Sequence, residues 1–566
     1  MAAFDSSKIK APRKFRFLRK CGRLIMVPVI CLASVPAYAQ TWNGAVDDNW
    51  STGGNWIGGV APGLLGVNGD TATFGGLGPT EIDVDVPVTL SHLEFNGAVT
   101  YNVNGGGNQI TLDDTGFGGM ESIDITAGTV TIGADLVLVN GVDVNAAVDA
   151  TIAGVISGVG DLTKEGVGAL LISGANTYNG PTNVNAGTLR LGAADVITDT
   201  STVDVTGTLD LNGFSETIGS LSGTGTVELT DQVLTLGGDN SNKTFGGDLN
   251  GTGSIVKDGT GTFTVGTANT FSGGTTINGG VIAIPNQNAL GTGTVTFDGG
   301  GLELAGALNV ANDMNFAGAG TIDANGGADT LSGDFMGTGD LMKTGVATLT
   351  LSGDLTGYTG NVMIDAGDLE IDTGTASTTL SGNVTGPGGL IKSGANELAL
   401  GGTNTFSGGL DINGGTVVVG SADALGDPAS SITFNDGALR TTAGITSAHT
   451  INIGLGDATI VTGGFDSSYS GAVNDIGAGG NLMISGGGTQ TFSGDLLGFT
   501  GNINATGGVL EIDTSIGSTS IVGDITGGAG LLKTGSNTLT LSGTNDYSGG
   551  TEIQMGTISI GAANNI

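Results

Sequence analysis

GVGDLTKEGVGALLISGANTYNGPTNVNAGTLRL, residues 158–191, and GTGSIVKDGTGTFTVGTANTFSGGTTINGGVIAI, residues 251–284, superpose without a gap at an offset of 93. Within each copy, runs of about four residues alternate apolar with polar, as from Asp161 to Lys164, Ala169 to Ile172 and Thr188 to Leu191. Gly, Asn and Asp punctuate the runs, which makes them strands and turns rather than helices. Strands this short bury little alone, so neighbouring copies must stack and share one continuous core, as in a solenoid.

A second register, with an offset of 141, runs from about residue 339 to the end. It lays Ser352-Gly353-Asp354-Leu355 on Ser493-Gly494-Asp495-Leu496, Glu370-Ile371-Asp372-Thr373 on Glu511-Ile512-Asp513-Thr514, and Lys392 on Lys533. Six copies of the unit are expected near residues 158–191, 251–284, 337–371, 386–420, 477–512 and 527–561. The expected organisation is an export signal over 1–39, a cap with the first coils over 40–120, and repeats over 121–566.

Eight Lys and Arg between Lys8 and Arg23 precede an apolar run from Leu24 to Ala33 and a cleavage-like Ala37-Tyr38-Ala39, the pattern of an export signal. The remaining 527 residues hold 8 basic and 52 acidic side chains, a formal net charge of −44. Such a chain repels nucleic acid and anionic lipid, so neither is an expected partner. Both cysteines, Cys21 and Cys31, lie in the signal, which excludes disulfides, thiolate metal sites and cysteine nucleophiles from the exported part.

The unit reads Gly-Asp-Leu-Thr-Lys over 160–164, SGANTYNG over 173–180 and Asn-Ala-Gly-Thr-Leu over 185–189. It returns as TANTFSGG from Thr267, GTNTFSGG from Gly402 and GTNDYSGG from Gly543. These phrases, with LNGFSETIGSLSGTGTVEL from Leu211 to Leu229, resemble the autotransporter-associated β-strand repeat, also called the passenger-associated transport repeat. The resemblance implies an all-β, elongated, right-handed parallel β-helix, the passenger region of a Gram-negative autotransporter. It also implies an outer-membrane barrel translocator outside this chain.

All three tryptophans fall in WNGAVDDNW from Trp42 and in GNW ending at Trp56. Large aromatics at one end of a solenoid are expected to cover its open core as a cap; a sugar-stacking site on Trp42, Trp50 and Trp56 is the alternative.

Five copies place a lysine at one position, Lys164, Lys257, Lys343, Lys392 and Lys533, where the remaining copy has Ile484. As surface residues these would cover a neighbouring coil with their stems; as a site they would form an anion- or uronate-binding row. Tyr178, Phe271, Phe406 and Tyr547 recur likewise, packing at a turn or forming a carbohydrate-stacking ladder. Asn176, Asn269, Asn404 and Asn545 stand two residues before them, where Asn suits left-handed turns and bonds turn backbone.

No catalytic, metal or cofactor site is expected. The two histidines, His92 and His449, stand 357 residues apart outside any nucleophile motif, and carboxylate pairs such as Asp83 with Asp85 read as solvated strand residues. The expected role is therefore that of an exported, non-enzymatic passenger at the cell surface or released, acting in adhesion, aggregation or surface-layer building. Surface carbohydrate, other cells and further copies of the chain are its candidate partners. The alternative is a polysaccharide-active, lyase-like β-helix enzyme. Because the earlier copy continues past Leu425 where the later one reaches Ile566, the chain is also expected to stop short of its cap and barrel.

Overall fold

The computed structural model describes residues 39–64, 69–76, 78–115, 121–477 and 479–561. The expected signal, apart from Ala39, and the last five residues lie outside these. The described chain is a parallel β-solenoid of about 23 turns; at ~4.8 Å between adjacent strands it is a rod roughly 110 Å long.

Each turn runs through up to three short strands separated by corners. Leu162 faces Thr182 and Thr182 faces Val203, so a turn takes about 20 residues. Near the start a turn stretches to 30, with His92 facing Ser122. Among the described residues one pairing is antiparallel, Ala39–Trp42 with Trp56–Ile57, and the other strand pairings are parallel. Parallel pairing is what a coil imposes, since every turn passes each face in the same direction.

Alternation sets the core. In Asp135–Leu138, Ala150–Ile152 and Ala169–Ile172 every second side chain is buried, because successive residues of a strand point to opposite sides. Like residues then stack along the axis, Ile132 on Ile152 and Ile152 on Ile172. Phe297 and Phe316 stack with ring centroids 4.7 Å apart, and Phe316 and Phe335 follow at 6.1 Å. Each such buried side chain contributes roughly 1.5–3 kcal/mol relative to exposure.

The tryptophans close the N-terminal end as the capping reading expects. Trp42, Trp50 and Trp56 are at most 2% exposed, with the Trp56 ring 5.1 Å from Trp42 and 5.0 Å from Trp50. Each indole N–H donates to a carbonyl, of Pro79, Pro62 and Trp50 respectively. Rings so enclosed offer no face to a sugar, and the stacking alternative lapses.

The repeat register is not a whole number of turns. The strands of Lys164 and Lys343 belong to one sheet, while those of Lys257 and Lys392 lie in two others. Successive copies of the unit therefore start on different sides of the prism.

Candidate functional site: the repeat lysines, asparagines and aromatics

Lys164, Lys257, Lys343, Lys392 and Lys533 are at most 1% exposed. Each sits on the second inward position of its strand, where an apolar side chain would continue the pattern. Its stem crosses the core and its ammonium reaches the corner beyond. There Lys164 Nζ donates to the carbonyls of Glu165, Gly166 and Ala186 at 2.6, 2.7 and 3.0 Å. Lys343 donates to four, those of Thr344, Gly345, Ala347 and Ala366. Lys392 meets Ser393, Gly394 and Gly414, Lys257 meets Asp258, Gly259 and Gly279, and Lys533 meets Thr534, Gly535 and Met555. The farther carbonyl belongs to the next turn, so each ammonium ties two coils together at their corners.

A glycine makes room for it. Gly187 has φ +63, and a Cβ there would stand 2.4 Å from the Gly166 and Gly168 oxygens and 2.9 Å from Lys164 Nζ; Gly280, Gly367, Gly415 and Gly556 take the same place after the other lysine strands, each with positive φ. Burial draws the Lys164 pKa down to about 8, opposed by Glu165 and Asp149, and the Lys392 pKa to about 8, opposed by Asp372. Carbonyl oxygens facing the ammonium favour its charged form. In the copy with Ile484, itself 2% exposed, the Thr462 hydroxyl donates to the Ser485 and Gly487 carbonyls.

These positions correct both readings of the lysines. They are neither surface stems nor an anion row, since each ammonium is enclosed and saturated from within. The aromatics behave alike: Tyr178, Phe271 and Phe406 are at most 1% exposed, and Tyr178 Oη lies 2.6 Å from Thr182 Oγ1. Only Tyr547, in the last described turn, is half-buried, with its hydroxyl 2.5 Å from Thr551 Oγ1. No stacking ladder is presented to solvent by these rings.

The asparagines do more than serve a turn. Asn176 accepts from the Ile156 amide at 2.7 Å, in the turn before, and donates to the Val196 carbonyl at 2.7 Å, in the turn after. Asn269 joins Leu249 to Ala289 and Asn404 joins Val384 to Ala424 in the same way. At these corners the chain carries no strand, and the carboxamide stands in for the missing ladder. None of the four is among the residues with positive φ, so their value lies in the side chain rather than in a left-handed backbone.

Sequence reasoning missed Glu216. It is 1% exposed and accepts from the Val196 and Ile197 amides; burial, helped by Asp195, pushes its pKa up to about 8 against these hydrogen bonds. With 52 acidic residues to choose from, nothing in the sequence singles it out. Of the other basic residues, Arg190 pairs with Asp210 and Arg440 with Glu397, both at the surface. The outer face is thus overwhelmingly acidic.

The Passenger-associated-transport-repeat family matches residues 162–191, 255–284, 341–371, 390–419 and 531–560. These are five of the six expected copies; the copy near 477–512, with Ile484 in place of lysine, is not among them. Over 199 residues, 33% of its length, the chain is 37% identical to "Adhesin BmaC autotransporter" of Brucella suis biovar 1 (strain 1330). The chain spans about 5% of the length of that relative. No solved structure matches it.

Proposed function

We propose that this chain, a solenoid carrying passenger-associated transport repeats in five places, is a stretch of the surface-exposed passenger of an autotransporter adhesin, displayed as a rod and acting by contact rather than by catalysis. The observation that carries this reading is the 37% identity over 199 residues to a protein named an autotransporter adhesin, in a chain that itself carries these repeats. The structure supports it by giving the recurrent residues an internal use. The lysines, aromatics and asparagines that would otherwise invite a catalytic or binding role hold turns together, and what faces outward is a long acidic surface suited to staying soluble and extended. Aggregation between cells and assistance to export by folding outside the cell belong to the same proposal.

The test is display. Residues 40–566 are placed before an outer-membrane barrel in a non-adherent bacterium, and surface exposure is checked by antibody labelling of intact cells. Several-fold greater attachment to cultured cells or to other bacteria than with the barrel alone is the expected result. Full display with no gain in attachment would overturn it.

A further inference from the structure

We propose that the solenoid carries a pair of equivalent surface clefts, around Ser352 and Asp372 and around Ser493 and Asp513, that bind an uncharged hydroxyl-rich ligand, one saccharide unit to each. The two clefts have volumes of about 290 and about 330 Å³, at the small end of ligand sites. They coincide in the 141-residue register: Ser352, Asp372 and Ser377 of one lie on Ser493, Asp513 and Ser518 of the other. The duplication has carried a cleft with it.

Both have the same physical origin. Each is lined by a glycine packed on the preceding turn, Gly353 or Gly494, where a Cβ would stand 1.9 Å from the Gly333 or the Gly471 oxygen. The turns thus stack closely on one side of the slot, and the corner that follows Asp372, or Asp513, forms the other. Neighbouring lining positions diverge, Thr375 against Ile516 and Ala376 against Gly517, and Ile516 is 79% exposed. The serines and aspartates persist.

The lining chemistry selects the ligand. The hydroxyls of Ser352 and Ser493 have no hydrogen-bond partner among the described residues. Asp372 spends Oδ1 on the Gly374 amide, and its Oδ2 has no hydrogen-bond partner among the described residues; Asp513 likewise uses Oδ1 on Ser515 N, while its Oδ2 accepts from Ser515 Oγ. Ser377 and Ser518 accept from the Glu397 and Thr538 amides, which leaves their own O–H groups free to donate. Carboxylate acceptors beside hydroxyl donors suit sugar hydroxyls and repel anions. They do not suit a hard cation, since among the described residues no three acidic or histidine side chains converge where calcium takes six to eight oxygens, and in one cleft Asp354 already uses both carboxylate oxygens on Thr356 and Thr378. The strands leaving the clefts, Thr378–Leu380 and Thr519–Ile521, pair in different sheets, so the clefts open on different sides and separate ligand chains can fill both. Two weak sites on one rod gain through avidity on a surface dense in ligand.

The inference rests on the adhesive reading for its setting and not for its test. The chain over residues 40–566 is titrated with free D-galactose, D-mannose and N-acetyl-D-glucosamine, and separately with calcium chloride, by saturation-transfer and ligand-observed NMR. At least one sugar is expected to bind at two sites per chain. Asp372→Asn and Asp513→Asn keep an acceptor for the turn amide; each is expected to remove half of the bound sugar, and the pair to lower affinity at least tenfold with the far-ultraviolet spectrum and melting curve unchanged. Binding of none of the three sugars, undiminished binding by the double variant, or a response to calcium alone would overturn it. Sugar binding without cell attachment would refute the adhesive reading and leave the clefts standing; attachment without sugar binding would do the reverse.

Discussion

Lys164 places a full charge where the pattern asks for an aliphatic side chain, and the cage of Glu165, Gly166 and Ala186 carbonyls makes that tolerable. Replacing it by methionine keeps the stem but leaves those oxygens facing a methyl group. Each buried carbonyl left unpaired costs roughly 1–3 kcal/mol, so Lys164→Met, which strands the three oxygens, is expected to lower stability by roughly 3 kcal/mol or more in denaturant titration, more than Val184→Ala in the next turn. Glu216 gives the residue scale a pH dependence. Its ordinary value is 4.5 and its folded value about 8. Below 4.5 both states hold the proton. As pH rises from there the unfolded chain releases it first, so the folded state loses stability up to about pH 8 and no further, by on the order of 1.4 kcal/mol per pH unit at most. Glu216→Gln cannot ionise. The melting temperature of the wild type relative to this variant should therefore fall steadily between pH about 4.5 and about 8, and a flat difference would show that the carboxyl is ionised throughout.

At the scale of elements, the unit is a strand whose lysine crosses the core, a second strand, and a strandless corner bridged by asparagine. Asn269 joins the Leu249 amide to the Ala289 carbonyl across two turns. Asn269→Leu has nearly the same shape but leaves both groups buried and unpaired, at about 1–3 kcal/mol each. The Leu249 amide should then exchange with solvent far faster than in the wild type, while the Phe263 amide on the adjoining face keeps its protection. The strands themselves were legible in the sequence because period-two alternation reports directly which side chains enter the core, and the tryptophan cap because the open end of a stacked core has to be covered by large side chains. The lysines were misread for a physical reason: charge argues for exposure unless a cage is visible, and the cage is made of backbone carbonyls, which have no sequence signature except the glycine at Gly187 and its equivalents. The clefts were partly legible, since Ser-Gly-Asp and the later Asp-Thr recur at 141 residues, but a cleft needs those two segments on neighbouring turns, and their separation of about 20 residues carries no mark in the sequence.

On the scale of the whole molecule, the strand ladders join each turn to the turns before and after it, and contacts that skip a turn, such as Arg440 with Glu397, are few, so stability is close to a sum of nearest-neighbour terms. A local defect should then unfold a neighbourhood and spare the rest. The cap is the sharpest place to ask. Trp50 is fully buried between Trp56 and Phe74, at ring distances of 5.0 and 5.8 Å, and it seals the first turns from water; at the far end, by contrast, Thr551–Ile553 is exposed along its length. Trp50→Ala opens a cavity worth about 3–5 kcal/mol in the element that every following turn is stacked upon. If the rod behaves as a row of nearest neighbours, hydrogen exchange should accelerate around Leu93 and Ile110 and fade along the axis, leaving Leu398 and Leu410 as protected as in the wild type. The continuous core argues the other way, because stacked aliphatic ladders without a break could transmit the loss. The lysine cages and asparagine bridges decide between the two: they pin adjacent turns with directed bonds that do not depend on what lies farther off. Loss of protection over the entire chain would show that the solenoid unfolds as one unit and that its cap governs all of it.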